Sequence, residues 1–270
     1  MNIVVCVKYV PDATADRQFE DDKTVDRVGV DGLLSELDEY AVEQALQIRD
    51  KQGEGADSDA TVVTVLTVGP ERATDAIRKS LQMGADKGVH VVDDAIAGSD
   101  ALATSLLLAK AVEKIGSESP VDLVVCGMAS TDGSMSVVSA MLAERLGLPQ
   151  VTMASVVETQ GDQIRVKRDG DTATEVIGAT LPVVLSVTDQ TGEARYPSFK
   201  GIMAAKKKPL ETWGLSDLGV DAGQVGLSAA WTAVEGTEAR PPRTQGEIVT
   251  DEDGSGAKAL AEFLASKKFI

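Results

Sequence analysis

The chain has 270 residues, of which 43% are hydrophobic and 3% aromatic, and its formal net charge is −17. This length suffices to bury a full core, as one large α/β domain or as one domain with an extension. The acidic balance argues against nucleic-acid binding, because phosphate neutralisation needs clustered cations. No apolar run reaches the ~18 residues that a spanning helix needs, so we expect a protein that is not membrane-embedded.

The N-terminus predicts a first strand instead of a targeting segment. No basic region precedes the apolar run at residues 2–7, so we expect neither a signal nor a transit peptide. Cys6 and Cys126 each lie inside an apolar run without a C-x-x-C motif, which favours buried thiols in a reducing compartment. We therefore expect a cytoplasmic protein. His90 is the single histidine and lies in a predicted strand, so we expect a structural role for it and no metal site.

Four strand–helix units follow one another along the first half of the chain. Buried strands are predicted at residues 2–7, 60–68, 88–92 and 121–126. Helices with apolar residues on one face are predicted at residues 35–53, 70–84, 99–116 and 134–147. Ser35 and Ser99 are predicted N-caps, and Asp38 completes a capping-box pattern with Ser35. This succession predicts a doubly wound, mainly parallel sheet.

The pattern changes at about residue 151. Short alternating runs at residues 156–158, 163–167 and 174–177, with turns at residues 160–162 and 169–171, predict an antiparallel meander within residues 151–180. Residues 181–187 return as a buried strand. We assign residues 1–210 to one nucleotide-binding α/β domain and residues 211–270 to an extended C-terminal arm, in which residues 257–266 form a last helix.

Residues 121–147 combine a strand, a polar loop and a helix start. Such a unit is either an ordinary, well-capped βα unit or an anion site at the carboxyl edge of a parallel sheet. The chain has no G-x-G-x-x-G after its first strand, no P-loop lysine motif and no G-x-S-x-G elbow. Asp132 and Asp169 have no evident partner acid. We therefore predict no catalytic residues, and a nucleotide that binds here would be held without being changed.

Several blocks resemble the β subunit of electron transfer flavoprotein, in the same order and over nearly the whole chain. They are IVVCVK at residues 3–8, DEYAVEQA at 38–45, GP at 69–70, IRK at 77–79, MGAD at 83–86, Gly127 with Ser130, Asp132 and Gly133, LPQ at 148–150, and RYPSFKGIMAAKKK at 195–208. The last block is the most specific, because its aromatic and basic run has no reason to recur in unrelated α/β proteins.

The resemblance implies half of a heterodimer with an adenine-nucleotide-hydrolase-like fold. In that family the partner α subunit holds most of the FAD, which carries electrons from acyl-CoA and related dehydrogenases, as in fatty acid β-oxidation, to a quinone oxidoreductase. The β subunit is an electron-carrier subunit that holds a structural AMP. The family segment that matches residues 241–270 wraps the α subunit.

The family's AMP contacts fall on positions at strand ends and helix starts. They are Cys6, Ser35, Asp38, Val68, Gly127, Ala129, Ser130, Thr131, Asp132, Gly133, Ser134, Met135, Ser136, Val137 and Val138. We expect backbone N–H groups of residues 133–136 to hold the phosphate, because charge-assisted hydrogen bonds outweigh the helix dipole. Asp132 is expected either to cap the helix or to meet ribose hydroxyls, since it would repel a phosphate.

The family's docking loop falls within residues 192–208. Its partner-contacting residues are expected to be Tyr196, Pro197, Ser198, Phe199, Lys200, Gly201, Ile202 and Met203. Phe199 is the expected apolar anchor for a dehydrogenase pocket, with Gly201 providing freedom; the alternative is that Phe199 packs on its own sheet. Residues 206–208 are three lysines that either form a solvated face or contact the α subunit.

The chain departs from the family at a few positions. Ser35 and Glu36 replace a common Asn-Pro pair, Val68 replaces a cysteine, Met135 and Ser136 replace a Gly-Gln pair, and Thr172 and Ala173 stand where acids or glycine are usual. Two alternatives therefore stay open. The first is an electron-bifurcating member with a second FAD in place of AMP. The second is a universal-stress-like ATP-binding homodimer, although residues 127–130 lack that family's G-x-x-G loop.

Overall fold

A computed structural model describes residues 1–15, 17–53, 61–238, 241, 246, 248–251 and 253–270. These residues form two compact units, Met1–Glu235 and Gly236–Ile270. The strands are β1 (Asn2–Cys6), β2 (Tyr9–Pro11), β3 (Gly32–Leu34), β4 (Val62–Val68), β5 (Lys87–Val91), β6 (Leu123–Gly127), β7 (Gln150–Ala154), β8 (Val156–Gln160), β9 (Gln163–Asp169), β10 (Thr174–Thr180), β11 (Val183–Val187) and β12 (Leu210–Trp213). The helices are α1 (Glu36–Gly53), α2 (Thr74–Met83), α3 (Ala101–Glu118), α4 (Val138–Leu146), α5 (Phe199–Ala205), α6 (Leu215–Leu218) and α7 (Gly256–Ser266).

Seven parallel strands form the central sheet, in the order β12-β5-β4-β1-β6-β11-β7. The side chains of its inner strands β1, β4, β6 and β11 are buried on both faces, and alternate residues of these strands contribute to different cores. Ile3 and Val5 pack with α1 and α2, whereas Val4 packs with α3 and α4. Helices on both faces of a parallel sheet confirm the predicted doubly wound α/β class.

The predicted meander is confirmed as a separate antiparallel sheet of β8, β9 and β10. Val157, Ile164 and Val166 are its buried residues and belong to the same core as α1 and α2. The meander therefore covers part of one face of the central sheet. Buried and exposed residues alternate along β9, as the alternating apolar and polar residues of the sequence predicted.

Several predicted helix starts were wrong. The N-cap of α3 is Asp100, whose carboxylate accepts a hydrogen bond from the Ala103 N–H at 3.0 Å, and not Ser99. After Pro70 the chain first makes a short 3₁₀ turn, Glu71–Ala73, before α2 begins. α4 begins at Val138 and not at Ser134, so the polar loop after β6 is longer than predicted.

The first unit extends beyond residue 210, where the sequence placed the end of the α/β domain. β12 pairs with β5 as an edge strand of the central sheet, and Leu215 and Leu218 of α6 are buried in the second core. The second unit contains α7, which matches the predicted last helix. The long segment after β1, without a predicted element, contains the two-stranded β2–β3 pair.

No helix among the described residues is both long and apolar enough to cross a bilayer. The single histidine, His90, is 2% exposed, and its Nε2 lies 3.0 Å from the carbonyl oxygen of Gly69. That contact joins β5 to the residue after β4, in line with the expected structural role.

Candidate functional site

The sheet has its topological switch point between β1 and β6. From β1 the chain moves outward to β4 and β5, and then returns to place β6 on the other side of β1. In open parallel sheets, ligands bind in the crevice outside the carboxyl ends of the strands at such a point. Cys6 ends β1, Gly127 ends β6 and Val68 ends β4, so the topology brings these predicted contacts to one edge.

Cys6 and Cys126 are register partners on β1 and β6, and both are buried free thiols, as predicted. A hydrogen bond to Cys6 and burial raise the pKa of the Cys126 thiol. Both side chains belong to the core that contains α3 and α4. The switch point therefore has an apolar floor on this face.

The start of α1 packs closely against the end of β6. A Cβ on Gly127 would lie 2.5 Å from Asp38 Oδ1 and 2.7 Å from the Leu37 carbonyl oxygen, so only glycine fits. The Asp38 carboxylate accepts a hydrogen bond from the Lys8 N–H at 2.8 Å, and Lys8 O accepts one from the Ser35 N–H at 2.9 Å. These contacts join the ends of β1 and β6 to the helix start.

The predicted capping box at Ser35 was wrong. The buried Ser35 hydroxyl has no hydrogen-bond partner among the described residues, and Asp38 turns toward Lys8. Burial raises the pKa of Asp38 to about 7, against the opposing effect of the Lys8 N–H and the Lys8 charge. Asp38 is therefore a carboxyl group that titrates near neutral pH at the edge of the site.

The loop between β6 and α4 contains two left-handed residues that are not glycine. Ser134 has φ of 50° and Ser136 has φ of 57°. Such a conformation costs on the order of 1–3 kcal/mol, and such residues cluster at active sites, ligand clamps and switch regions. The loop is exposed from Gly133 to Ser136, so these strained residues face solvent.

Two of the four N–H groups expected to hold a phosphate are already used within the loop. Gly133 N–H donates to Asp132 Oδ1 at 2.7 Å, and Ser134 N–H donates to Ser130 O at 2.9 Å. Among the described residues, no acceptor is bonded to the N–H groups of Met135, Ser136 and Val137. The free donors thus begin at Met135 and continue into the first turn of α4, a place suited to an anion.

Asp132 does not cap α4, so the capping alternative was wrong, whereas contact with ribose hydroxyls stays a prediction. Its side chain is 2% exposed and forms ion pairs with Lys8 Nζ at 2.9 Å and with Arg27 Nη2 at 2.5 Å. Burial pushes the pKa of Asp132 upward, but the charges of Lys8 and Arg27 outweigh it and hold the pKa well below its usual range. Asp132 therefore joins the loop to Lys8, just after β1, and to Arg27, in the segment between β2 and β3.

Lys8, Arg17 and Arg27 are site residues that the sequence did not reveal. Arg17 donates hydrogen bonds to the carbonyl oxygens of Thr131 and Asp132, the latter at 3.1 Å. Arg27 also donates to Tyr9 O at 3.1 Å. Lys8 could have been found, since it follows the first strand directly. The two arginines lie in an unpatterned segment, and only the tertiary structure brings them to the loop.

A second surface of interest contains the expected docking residues. The predicted loop includes a short helix, α5, whose N-cap Ser198 accepts a hydrogen bond from the Gly201 N–H at 3.0 Å. Tyr196 is 92% and Phe199 81% exposed, and Ile202 and Met203 are also exposed. Phe199 therefore does not pack on its own sheet. We call residues 196–203 the docking segment.

The docking segment is fixed by close contacts with its surroundings. Gly201 does not provide freedom, because a Cβ there would lie 2.5 Å from the carbonyl oxygen of Gln82 at the end of α2. Lys208 Nζ donates to Leu81 O at 3.0 Å and to Ala85 O at 2.6 Å, so it caps α2. Its pKa is lowered by burial. Lys206 and Lys207 are exposed, and the three lysines therefore have different roles.

Comparison with known proteins places this fold in a defined class. The family model of the electron transfer flavoprotein domain matches residues 22–218. The chain therefore belongs to the electron transfer flavoprotein family.

Full-length relatives narrow this assignment to one subunit. The chain is 47% identical over 270 residues to electron transfer flavoprotein subunit beta of Mycobacterium tuberculosis, which covers 100% of this chain and 99% of the relative. It is 46% identical to the subunit beta of Mycobacterium leprae, with the same coverage, and 37% identical over 271 residues to that of Thermoanaerobacterium thermosaccharolyticum, with both chains fully covered. Within the family it is thus placed with the β subunits, which take part in electron transfer.

Proposed function

We propose that this chain is the β subunit of a heterodimeric electron transfer flavoprotein and holds one AMP at the carboxyl edge of β1 and β6. An α subunit holds most of the FAD, which supplies the redox chemistry when bound. The assembly carries electrons from acyl-CoA and related dehydrogenases toward a quinone oxidoreductase. This chain provides the holding site, the support for the α subunit and the docking segment.

The observation that carries the AMP proposal is the combination of free donors and orphaned hydroxyls at the switch point. The N–H groups of Met135, Ser136 and Val137 lack acceptors among the described residues, next to the start of α4. The buried hydroxyls of Ser35 and Thr131 also lack partners there. These groups fit a ligand with one anionic end and several polar atoms, as AMP has.

Magnitudes favour the backbone donors as the main phosphate contacts. Each charge-assisted hydrogen bond contributes ~1.5–3 kcal/mol, whereas the dipole of a helix contributes ~0.3–1 kcal/mol. Lys8 and Arg27 both pair with Asp132, so their hydrogen-bond donors are engaged there, and the three side chains together keep one net positive charge that favours a nearby anion. We therefore assign the phosphate to residues 135–137 and the nucleoside to the side of Ser35, Asp38 and Thr131.

Co-expression with the α subunit from the same organism tests the proposal directly. The heterodimer is purified, denatured, and its released nucleotides are quantified by mass spectrometry. We expect one AMP and one FAD per heterodimer. Two FAD molecules and no AMP would show that a second flavin binds in place of AMP. A stable, ATP-filled homodimer without affinity for the α subunit would overturn the assignment as a β subunit.

Phe199→Ala tests the docking part of the proposal. The exposed ring is expected to enter an apolar pocket of the dehydrogenase, and loss of such an anchor costs about 2 kcal/mol or more, roughly a 30-fold fall in kcat/KM. The measurement is reduction of the heterodimer's FAD by a purified acyl-CoA dehydrogenase and its substrate. Lys207→Ala, which removes an exposed side chain beyond α5, is the control. An unchanged rate for Phe199→Ala in an intact heterodimer would count against docking at this segment.

A further inference from the structure

A buried carboxylate of α1 binds the residue that precedes the docking segment. Glu43 Oε2 accepts hydrogen bonds from Arg195 Nε at 2.7 Å and from the Arg195 backbone N–H at 3.1 Å. Glu43 Oε1 accepts one from Arg195 Nη2 at 3.1 Å. The guanidinium and the carboxylate thus form a bidentate pair, the arrangement in which arginine is most specific.

Burial makes this pair a strong constraint on the chain. The Glu43 side chain is 7% exposed and that of Arg195 33%. Gln47 Nε2 donates to Glu43 Oε1 at 3.0 Å, so each carboxylate oxygen has two donors. A buried carboxylate without these partners would be strongly unfavourable. Arg195 Nη2 also forms an ion pair with Asp50 Oδ2 at 3.0 Å.

The contact lies at the junction between the framework and the docking segment. Gln44 Nε2 donates to Thr191 O at 3.2 Å, so α1 also holds the chain just before Arg195. On the far side of the docking segment, Lys208 holds the chain on α2. The segment with its exposed aromatic residues therefore lies between two fixed points on two helices.

We propose that Glu43 and Arg195 are positioning residues that hold the docking segment in the conformation that a dehydrogenase binds. The inference rests on the proposed docking function. Fixing a binding segment in its bound conformation lowers the entropy lost on association. If the segment were free, the apparent affinity would fall by the fraction of molecules in the competent conformation.

Arg195→Gln in the heterodimer tests the inference. We expect kcat/KM for FAD reduction by an acyl-CoA dehydrogenase to fall about tenfold, as it does when only about a tenth of the molecules are competent. KM should carry most of the change and kcat little, since Arg195 contacts neither the flavin nor the reacting atoms. Arg168→Gln is the matched control, because Arg168 also forms two hydrogen bonds with one carboxylate, Glu175, and is 36% exposed.

Limited digestion with trypsin provides a readout that is independent of electron transfer. Lys200 is exposed within α5, and a released docking segment should be cut there faster. We expect Arg195→Gln, but not Arg168→Gln, to accelerate cleavage after Lys200 several-fold. Equal cleavage rates in all three proteins would overturn the inference.

A double-variant cycle identifies the partner of Arg195. If Arg195 acts through Glu43, then Glu43→Gln should reproduce the effect of Arg195→Gln, and the double variant should add little to either. Effects that multiply would show that the two residues act separately and would overturn the pair as the positioning device.

The Phe199→Ala result separates this inference from the docking proposal. If Phe199→Ala slows electron transfer while Arg195→Gln leaves both kcat/KM and trypsin cleavage unchanged, the docking proposal is supported and the positioning role of Arg195 is contradicted. If Phe199→Ala has no effect, docking at this segment and its positioning fail together, although the assignment as a β subunit remains.

Discussion

Thr131 and Ser35 have buried hydroxyl groups that lack hydrogen-bond partners among the described residues. A buried polar group without a partner costs about 1–3 kcal/mol, so each such group needs an explanation. Both residues belong to the predicted AMP contacts, and the orphaned hydroxyl of Thr64 lies in β4. This difference in position makes Thr131 and Thr64 a matched pair for an experiment.

Thr131→Val should lower the AMP content of the purified heterodimer. Valine has nearly the same shape, but it cannot offer the hydroxyl that we assign to the nucleotide. One lost hydrogen bond costs ~0.5–1.5 kcal/mol, which corresponds to a roughly 2- to 13-fold loss of affinity. AMP release is quantified by mass spectrometry after dialysis. Thr64→Val should leave the AMP content unchanged. Equal retention in both variants would remove Thr131 from the contacts.

Asp38→Asn should change the pH dependence of stability. The pKa of Asp38 is about 7 in the folded protein against an ordinary value of 3.8. Between these values the unfolded chain releases a proton that the folded one keeps, so stability falls as pH rises from about 4 and the loss is complete above about 7. The asparagine variant lacks this loss, which is on the order of 4 kcal/mol for a shift of about three units.

Denaturant unfolding of the heterodimer at fixed protein concentration, from pH 4 to pH 8.5, measures this effect. The free energy of unfolding of the Asn variant relative to the natural protein should increase with pH. Glu36→Gln, on the exposed side of the same helix turn, should show no such increase. A difference that is independent of pH would contradict the buried-carboxyl account of Asp38.

Residue roles were predictable where a local pattern determines them. The buried thiols of Cys6 and Cys126 follow from the apolar runs around them, and both are confirmed. Asp132 shows the opposite case, since its role depends on Lys8 and Arg27, which are distant in sequence. No local signal distinguishes a capping aspartate from one that pairs with distant cations.

At the scale of elements, the contact between the end of β6 and the start of α1 defines the site. Gly127→Ala should disturb it, because the new Cβ would meet both the Asp38 carboxylate and the backbone of Leu37. We expect a loss of stability of about 1–3 kcal/mol from overpacking, together with loss of bound AMP. Thermal unfolding and nucleotide content are the measurements.

Gly116→Ala is the control for that variant. Gly116 lies within α3, and a Cβ there would meet Val121 at an ordinary distance of 3.6 Å. Alanine should therefore stabilise the helix by ~0.5–1 kcal/mol without changing the AMP content. A Gly127→Ala protein with full stability and full AMP would show that the close approach is not required.

The sequence predicted those elements in which a regular apolar pattern continues over many residues. β7 and β12 were missed, because each is short and mixes polar with apolar residues, and a partner strand decides their conformation. α5 was missed because seven residues with a glycine give little helical signal, and its contact with α2 stabilises it instead. The start of α4 was misplaced because serines in a loop resemble an N-cap.

At the scale of the whole molecule, the chain consists of the α/β unit Met1–Glu235 and the smaller unit Gly236–Ile270. In the smaller unit, α7 exposes the apolar side chains of Leu260 and Phe263, which are 59% and 52% accessible. Apolar residues on one face of an exposed helix are typical of a surface that contacts another protein. This supports the proposal that the arm binds the α subunit.

Leu260→Ser combined with Phe263→Ser should weaken that contact. In the proposed contact both side chains are buried against the α subunit, so their loss removes roughly 1.5–3 kcal/mol each, about a hundredfold or more in affinity. Co-purification with a tagged α subunit, followed by dilution, measures the dissociation. Lys258→Gln on the same helix, where the lysine is 80% exposed, should leave the heterodimer intact. Unchanged affinity of the double variant would contradict the role of α7.

The two fixed points around the docking segment have a consequence for divergence within the family. Lys208 holds the backbone carbonyl groups of Leu81 and Ala85, and Arg195 holds a single carboxylate, so neither contact involves the side chains between them. Tyr196, Phe199, Ile202 and Met203 are exposed, and none of them belongs to either core cluster. Their identities can therefore change without a change in the fold or in the candidate nucleotide site, and under the proposed docking role one framework can then accept different dehydrogenase partners.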